Sequence, residues 1–298
     1  MKLEKGANIL VTGASGGLGV PIARELAKYG ANLALVAFPG IELPPLKKEL
    51  EASGIRAHYL VADLRKPEER QRVVDTISSE FGDIDVLINN AGVEFTCPYH
   101  RLTEEEIYSV LGVNLEAPMA LTRLLLPGML ERGRGHIVNM SSLAGKSGPA
   151  YQEPYAATKA GLVAFTASLR ATYRGTGVSA SVICPGFVEA GIYARSKEQS
   201  GCAAPAILGT SPPEAVARAV IRSILKDKPQ LIVNKWPVRP IFAMTEIVPS
   251  FGAWLARMTG AHAYFKRVYE AQRGGDAPSG QPARDPKDSE LHSDREVE

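Results

Sequence analysis

Short β-rich runs alternate with longer amphipathic runs over residues 8 to 234. The β-rich runs fall at 8–12, 32–37, 57–62, 85–89, 136–140, 179–184 and 230–234. Most are continuously apolar, as parallel strands covered on both faces should be. Helical patterns separate them at 17–29, 43–53, 67–81, 103–132, 154–175 and 212–228. Thr103 followed by Glu106 makes a capping box, and Ser211 before Pro212-Pro213-Glu214 predicts a second capped start. Seven strands with intervening helices predict an α/β, doubly wound (Rossmann-type) parallel sheet with right-handed crossovers and helices on both faces. No repeat interrupts residues 1–235, which read as one domain.

The pattern changes after that. Residues 236–258 are rich in large apolar and aromatic side chains, and a second short helix is expected over 261–272. From 273 to 298 apolar residues nearly vanish, and four basic side chains face seven acidic ones. Such a segment buries too little surface to offset its ordering entropy, so the tail is expected to be disordered. The three units are therefore 1–235, 236–272 and 273–298.

Composition narrows the function classes. A net charge of +2 over 298 residues is not that of a dedicated nucleic-acid binder. Cys97, Cys184 and Cys202 are too few and too scattered for a disulfide framework or zinc site, and no acid/His/Cys cluster has ligand spacing, so no metal is expected. Strand-like sequence begins at residue 8 without a signal-peptide pattern, and no uninterrupted apolar run spans a bilayer. The expectation is a cytoplasmic protein.

Three motifs carry chemistry. Thr12-Gly-Ala-Ser-Gly-Gly-Leu-Gly19 links the first strand to the first helix. Gly13 allows the tight turn, while Gly17 and Gly19 permit close approach of a pyrophosphate and tight helix–strand packing. Tyr155-Ala-Ala-Thr-Lys159 places phenol and ammonium on one helix face, where the cation should lower the phenol's pKa for proton exchange with an alcohol or carbonyl. Tyr193-Ala-Arg-Ser-Lys197 repeats that spacing. Ser142, thirteen residues ahead of Tyr155 at a strand end, separates the two, and Tyr193 reads as a lid residue. His100 and His136 fall at no motif position.

Together with Asn89-Asn-Ala-Gly92, Asn114 and Pro185-Gly186, these motifs occur in the order of the short-chain dehydrogenase/reductase family, whose single-domain branch the chain resembles over residues 5 to 235. The resemblance implies an NAD(P)-dependent oxidoreductase interconverting a secondary alcohol and a ketone or aldehyde. It makes Tyr155 the general acid/base and Lys159 the group that holds the nicotinamide ribose. Ser142 would bind the substrate oxygen, and Asn114 would position a relay water. Asp63 would contact the adenine. It further places Gly13, Ser15, Gly17, Leu18, Gly19, Phe38, Leu64, Asn90, Ala91, Gly92, Pro185, Gly186 and Val188 among the cofactor contacts. Hydride transfer belongs to the nicotinamide. Simpler roles compete: a turn cap for Ser142, a helix kink for Asn114, and a strand-end turn for Asp63. A non-catalytic nucleotide-binding regulator or membrane-surface scaffold is the alternative on the same fold.

Departures from the family pattern locate this chain's own features. Val36-Ala-Phe-Pro-Gly40 carries neither the Asp that would select NAD nor the Arg that would favour NADP, and the lack of the carboxylate tilts the expectation to NADP. Ala190 stands where a threonine commonly contacts the nicotinamide amide. Residues 190–210 would form the substrate lid, with glycines for motion and apolar residues to close over a hydrophobic ligand. The 236–272 extension would extend a lipophilic pocket for a steroid-, retinoid- or acyl-like substrate, attach to a membrane surface, or pack against the sheet edge or a subunit partner. The family resemblance implies a homo-oligomer, a dimer or tetramer, associating through the two long helices at 103–132 and 154–175, and the extension would block further association at the seventh strand.

Overall fold

The computed structural model describes residues 3–273. The disorder expected for the tail therefore falls outside the described residues, apart from Arg273 at a helix end. The core is a seven-stranded parallel sheet: β1 (Asn8–Thr12), β2 (Asn32–Ala37), β3 (Ala57–Val61), β4 (Val86–Asn89), β5 (Gly135–Met140), β6 (Val178–Pro185) and, joining its far edge, β9 (Gln230–Val233). The order is β3-β2-β1-β4-β5-β6-β9, with Val11 beside Leu35, Leu10 beside Leu87 and Asn89 beside Asn139. The seven strands and their parallel, doubly wound arrangement agree with the sequence pattern.

Strand alternation divides the core into two layers. Ile9, Val11, Leu33 and Leu35 pack on one face with α1 (Gly19–Ala27), α2 (Leu43–Ala52) and α9 (Pro213–Leu225). Leu10, Ala34, Val36 and Leu87 face the other, against α3 (Pro67–Glu80) and α5 (Ala117–Glu131). α7 (Glu153–Thr172) lies on that side next to β5 and β6.

The helix predicted over 103–132 departs from regularity. Its start is the expected capping box, Thr103 Oγ1 accepting from the Glu106 amide at 3.2 Å. α4 (Glu104–Leu111) then widens into a π-turn over Gly112–Glu116 before α5 begins. Asn114 sits in that turn, because its side chain is committed sideways to a neighbouring loop. Against expectation, the run Glu104–Glu131 is long and apolar enough to cross a membrane by length and composition, but half of its most apolar window is buried within the fold.

Other elements were not predicted. Ser211 does not cap α9; it lies in a two-residue strand, β8 (Thr210–Ser211), paired with β7 (Phe187–Val188). The 190–210 segment contains α8 (Gly191–Ser200), and α6 (Ala144–Ser147) follows β5. The extension forms three helices, α10 (Arg239–Ile247), α11 (Pro249–Met258) and α12 (Ala261–Arg273), the break between the first two falling at Pro249. Tyr264, Phe265 and Val268 of α12 bury themselves with Tyr193, Phe187 and Tyr151. The last helix thus packs α8 against β7 and the loop before α7.

Candidate active site

The sheet order reverses between β1 and β4, and a cleft of about 1600 Å³ opens there at the carboxyl ends of the strands. Its floor is built by hydrogen bonds between strand ends. Thr12 Oγ1 accepts from the amides of Asn90 and Ala91 at 3.0 and 3.1 Å. Asn90 Nδ2 donates to the carbonyls of Thr12 and Gly13 at 3.1 and 3.0 Å. The Asn90 amide is therefore spent shaping the glycine loop.

The glycines act as expected in part. Gly13 adopts a left-handed conformation (φ +62°). A Cβ on Gly19 would strike the Gly13 carbonyl, so Gly19 lies beneath the loop and does not line the cleft. A Cβ on Gly17 would strike the Gly191 backbone, so that position also serves the lid. Ser15, Leu18, Phe38, Asp63, Leu64, Ala91, Gly92, Pro185, Gly186 and Val188 all line the cleft. Asp63 does so with both carboxylate oxygens forked onto Arg65 at 2.7–3.0 Å, which holds its carboxyl below the usual range and leaves no oxygen free of that ion pair. Because the loop has no Cβ where a diphosphate must approach and leads into a helix N-terminus, these residues fit a dinucleotide.

At the other end of the cleft, β5 ends in Ser141 and Ser142, and α7 supplies Tyr155 and Lys159. The Ser142 and Tyr155 hydroxyls face each other, and Ser142 opposes the rise of the phenol's pKa. Lys159 Nζ donates to the Met140 carbonyl at 2.9 Å and lies 5.4 Å from the Tyr155 ring centre. Ser141 Oγ donates to the Lys159 carbonyl at 2.7 Å, and a Cβ on Gly145 would sit 2.5 Å from that carbonyl carbon. Helix and strand are thereby locked in register. Removal from water pushes the Tyr155 phenol up, with Glu94 adding to the shift, and pushes Lys159 down to about 8. The lowering of Tyr155 expected from its cation is thus reversed by burial.

Asn114 differs from expectation in its reach. It is fully buried and does not line the cleft. Its Oδ1 accepts from the Val93 amide and its Nδ2 donates to the Val93 carbonyl, both at 2.8 Å. With its side-chain amide paired to a backbone, Asn114 positions the loop carrying Gly92 and Val93. Tyr193 is 8% exposed, and its hydroxyl accepts from the Ala204 amide at 3.1 Å. His136 lies buried in β5, away from the cleft, and His100 is exposed. Among the described residues no three His, Cys, Asp or Glu side chains converge as metal ligands.

Several residues escaped the sequence reading. Asn139 accepts from Asn89 Nδ2 at 2.8 Å and donates to Thr166 at 2.9 Å, a buried bridge between β4, β5 and α7. Glu94, Thr96 and Gln152 form a polar cluster beside Tyr155. The inward asparagine in an otherwise apolar strand was a legible signal for the first. The second pairs β4's loop with the start of α7 and has no sequence signature.

The short chain dehydrogenase family model matches residues 7–201. The chain belongs to the short-chain dehydrogenase/reductase family. This family member is 42% identical over 234 residues to a ketoacyl reductase, HetN, of Nostoc, covering 78% of this chain and 80% of the relative. A metagenomic short-chain oxidoreductase solved in complex with NADP superposes with a TM-score of 0.67 at 31% identity, covering 78% of this chain and 98% of the other. A single-residue variant of the actinorhodin polyketide ketoreductase, solved with NADPH, gives 0.71 at 30%, covering 78% and 97%. Like its relatives, this short-chain dehydrogenase/reductase is an oxidoreductase acting on CH–OH and C=O groups, and its fold class matches the sequence expectation.

Proposed function

We propose that the chain is an NADP(H)-dependent reductase and dehydrogenase for lipophilic carbonyl and secondary-alcohol substrates, with an acyl chain as the favoured lipophile. The carrying observation is the apolar wall that the extension adds to the catalytic end of the cleft: Trp236, Ile241, Phe242, Leu255 and Phe265 line it. The ketoacyl names of the Nostoc relative and the polyketide enzyme support the acyl choice.

The nicotinamide supplies or takes the hydride when bound. Tyr155, held neutral by burial, is in the state that protonates a forming alkoxide. Ser142 holds the substrate oxygen beside that phenol, and Lys159 lies where it can meet a ribose. Asn114 fixes the loop opposite. Two readings support NADP: both solved neighbours hold it, and β2 ends without a carboxylate. Acidic groups lining that part of the cleft are Asp63, covered by Arg65, and Glu42 at the start of α2. Fluorescence titration should give tighter NADPH than NADH binding, and kcat/KM should rise along a ketone series of increasing chain length. Tighter NADH would overturn the cofactor choice and point to Glu42. A flat chain-length profile would overturn the lipophilic pocket.

The outer side of the extension supports membrane-surface attachment of a cytoplasmic enzyme. Met244, Ile247, Val248, Trp254 and Met258 are exposed, Ile247 by 76%, near Arg257. Flotation with anionic vesicles, lost on Ile247→Glu with Trp254→Glu, tests it. A homodimer would form across the α4–α5 and α7 helices, where Tyr108, Leu111 and Met119 are exposed, and sedimentation would report it. A scaffold without turnover finds no support in a site that brings Ser142, Tyr155 and Lys159 together.

A further inference from the structure

The chain enters α7 through a residue in an unusual conformation. Tyr151 has φ +67° and stands directly before Gln152, whose carbonyl accepts the first helical hydrogen bond of α7 from Ala156 at 2.8 Å. Among the described residues Asp227 is the other non-glycine residue with a positive φ. A bulky side chain is poorly suited to this region, whereas glycine enters it freely, as Gly148 does just upstream with φ +55°. A tyrosine here carries a backbone cost that its surroundings must offset.

The offset comes from the extension. The Tyr151 ring centre lies 5.8 Å from that of His262 and 5.7 Å from that of Tyr269, both on α12. Tyr269 is held in turn, its hydroxyl accepting from Arg101 Nη1 at 3.0 Å in the turn Tyr99–Arg101. The Tyr151 carbonyl accepts from the Cys97 amide at 3.0 Å, and Gln152 donates to Glu94. Tyr151 is thus gripped through its ring by α12 and through its backbone by the loop after β4. Two ring pairs contribute about as much as a left-handed conformation costs a non-glycine residue. Where Tyr151 stands decides where α7 begins, and Tyr155 lies in that first turn facing Ser142. Misplacing a reacting group by about 1 Å can cost about a hundredfold in rate.

We propose that Tyr151 is a positioning residue through which α12 sets the first turn of α7, and with it the Tyr155 phenol. The extension then acts on the proton-transfer step as well as on the pocket wall. The inference rests on the carbonyl–alcohol reading above and adds to it how the extension controls turnover.

The test reads kcat for NADPH-dependent reduction of 4-nonanone and the NADPH dissociation constant by fluorescence. Tyr151→Phe keeps the ring and should stay within about twofold of the wild type in both. Tyr151→Ala keeps a Cβ but loses the ring, so kcat should fall about tenfold with the NADPH constant within about twofold. Tyr151→Gly also loses the ring but adopts the left-handed conformation freely, and should bring kcat back to within about threefold of the wild type. Packing alone would leave Tyr151→Gly no better than Tyr151→Ala, since both lose the ring and glycine adds freedom to the unfolded chain. Tyr269→Ala should lower kcat about fivefold in the wild type and leave it within about twofold in Tyr151→Gly, where no ring remains to be held. A kcat for Tyr151→Gly at or below that of Tyr151→Ala overturns the proposal. Should Tyr151→Ala fail to fold, an equal effect of Tyr269→Ala in the two backgrounds overturns it. Turnover of no ketone by the wild type sinks the carbonyl–alcohol reading alone, and amide hydrogen exchange over residues 153–159 then decides. Exchange faster in Tyr151→Ala and back at the wild-type rate in Tyr151→Gly upholds the positioning role, and equal exchange in all three overturns it.

Discussion

His136 makes a quantitative test of how the sheet interior is built. It lies near the start of β5, 1% exposed, with Nε2 2.8 Å from Ser181 Oγ. Ser181 has one hydroxyl hydrogen, and it goes to the Lys228 carbonyl at 2.7 Å. His136 must therefore donate from Nε2, which leaves Nδ1 as the bare nitrogen. Protonating Nδ1 places a charge in the core. Asp227 favours that charge and Arg170 opposes it, but desolvation dominates and moves the imidazole from 6.5 down to about 4. The unfolded chain then binds the proton first. The stability contribution is complete above pH 6.5 and is lost as the pH falls toward 4. The full range corresponds to about 3 kcal/mol, and at pH 5 the loss is about 2 kcal/mol. Carboxylates also titrate in this window, so the comparison is between the wild type and His136→Gln. Urea unfolding followed by tryptophan fluorescence at pH 7.5, 6 and 5 should show a steeper loss in the wild type by about that amount. Equal slopes in the two proteins, or a His136 ring that titrates near 6.5 by NMR, would refute the argument.

The site invites three further measurements. Tyr155→Phe should cut kcat by about a thousandfold while NADPH still quenches tryptophan fluorescence, whereas Tyr193→Phe should leave the chemical step within about threefold. Asn114→Ala strands the Val93 amide and carbonyl and should cost about 2 kcal/mol in urea unfolding, with KM for the carbonyl rising as the Glu94 loop loosens. Gly19→Ala forces a Cβ against the Gly13 carbonyl, a backbone atom that cannot step aside; it should lose about 1–3 kcal/mol and weaken dinucleotide binding.

The sheet was legible because its physics is local. A strand covered on both faces is mostly apolar, and the apolar runs match the seven strands within one residue of their ends. Gly13, Tyr155 and Lys159 were legible because backbone conformation and helical spacing confine them. What escaped was tertiary in origin. The π-turn at Gly112–Glu116 exists because Asn114 reaches across to Val93, and no periodicity within that helix foretells it. The Tyr155 phenol was expected to be lowered by one neighbour and is raised by removal from water, a property of everything packed around it. Glu94 and Gln152 lie 58 positions apart, and only the fold makes them partners.

The contact between Gly17 and Gly191 joins two parts usually treated separately. Gly17 belongs to the glycine loop expected to cradle a diphosphate, and Gly191 opens the first turn of α8. Helix α8 therefore rests on the glycine loop. A dinucleotide bound in the loop would bear on the start of α8, so the carbonyl pocket should take its shape after the nucleotide has arrived. Turnover should be sequential and ordered, nucleotide first on and last off. Product-inhibition patterns, competitive only between the oxidised and reduced nucleotides, would record that contact in kinetic form. Random addition would show the two parts to be mechanically independent.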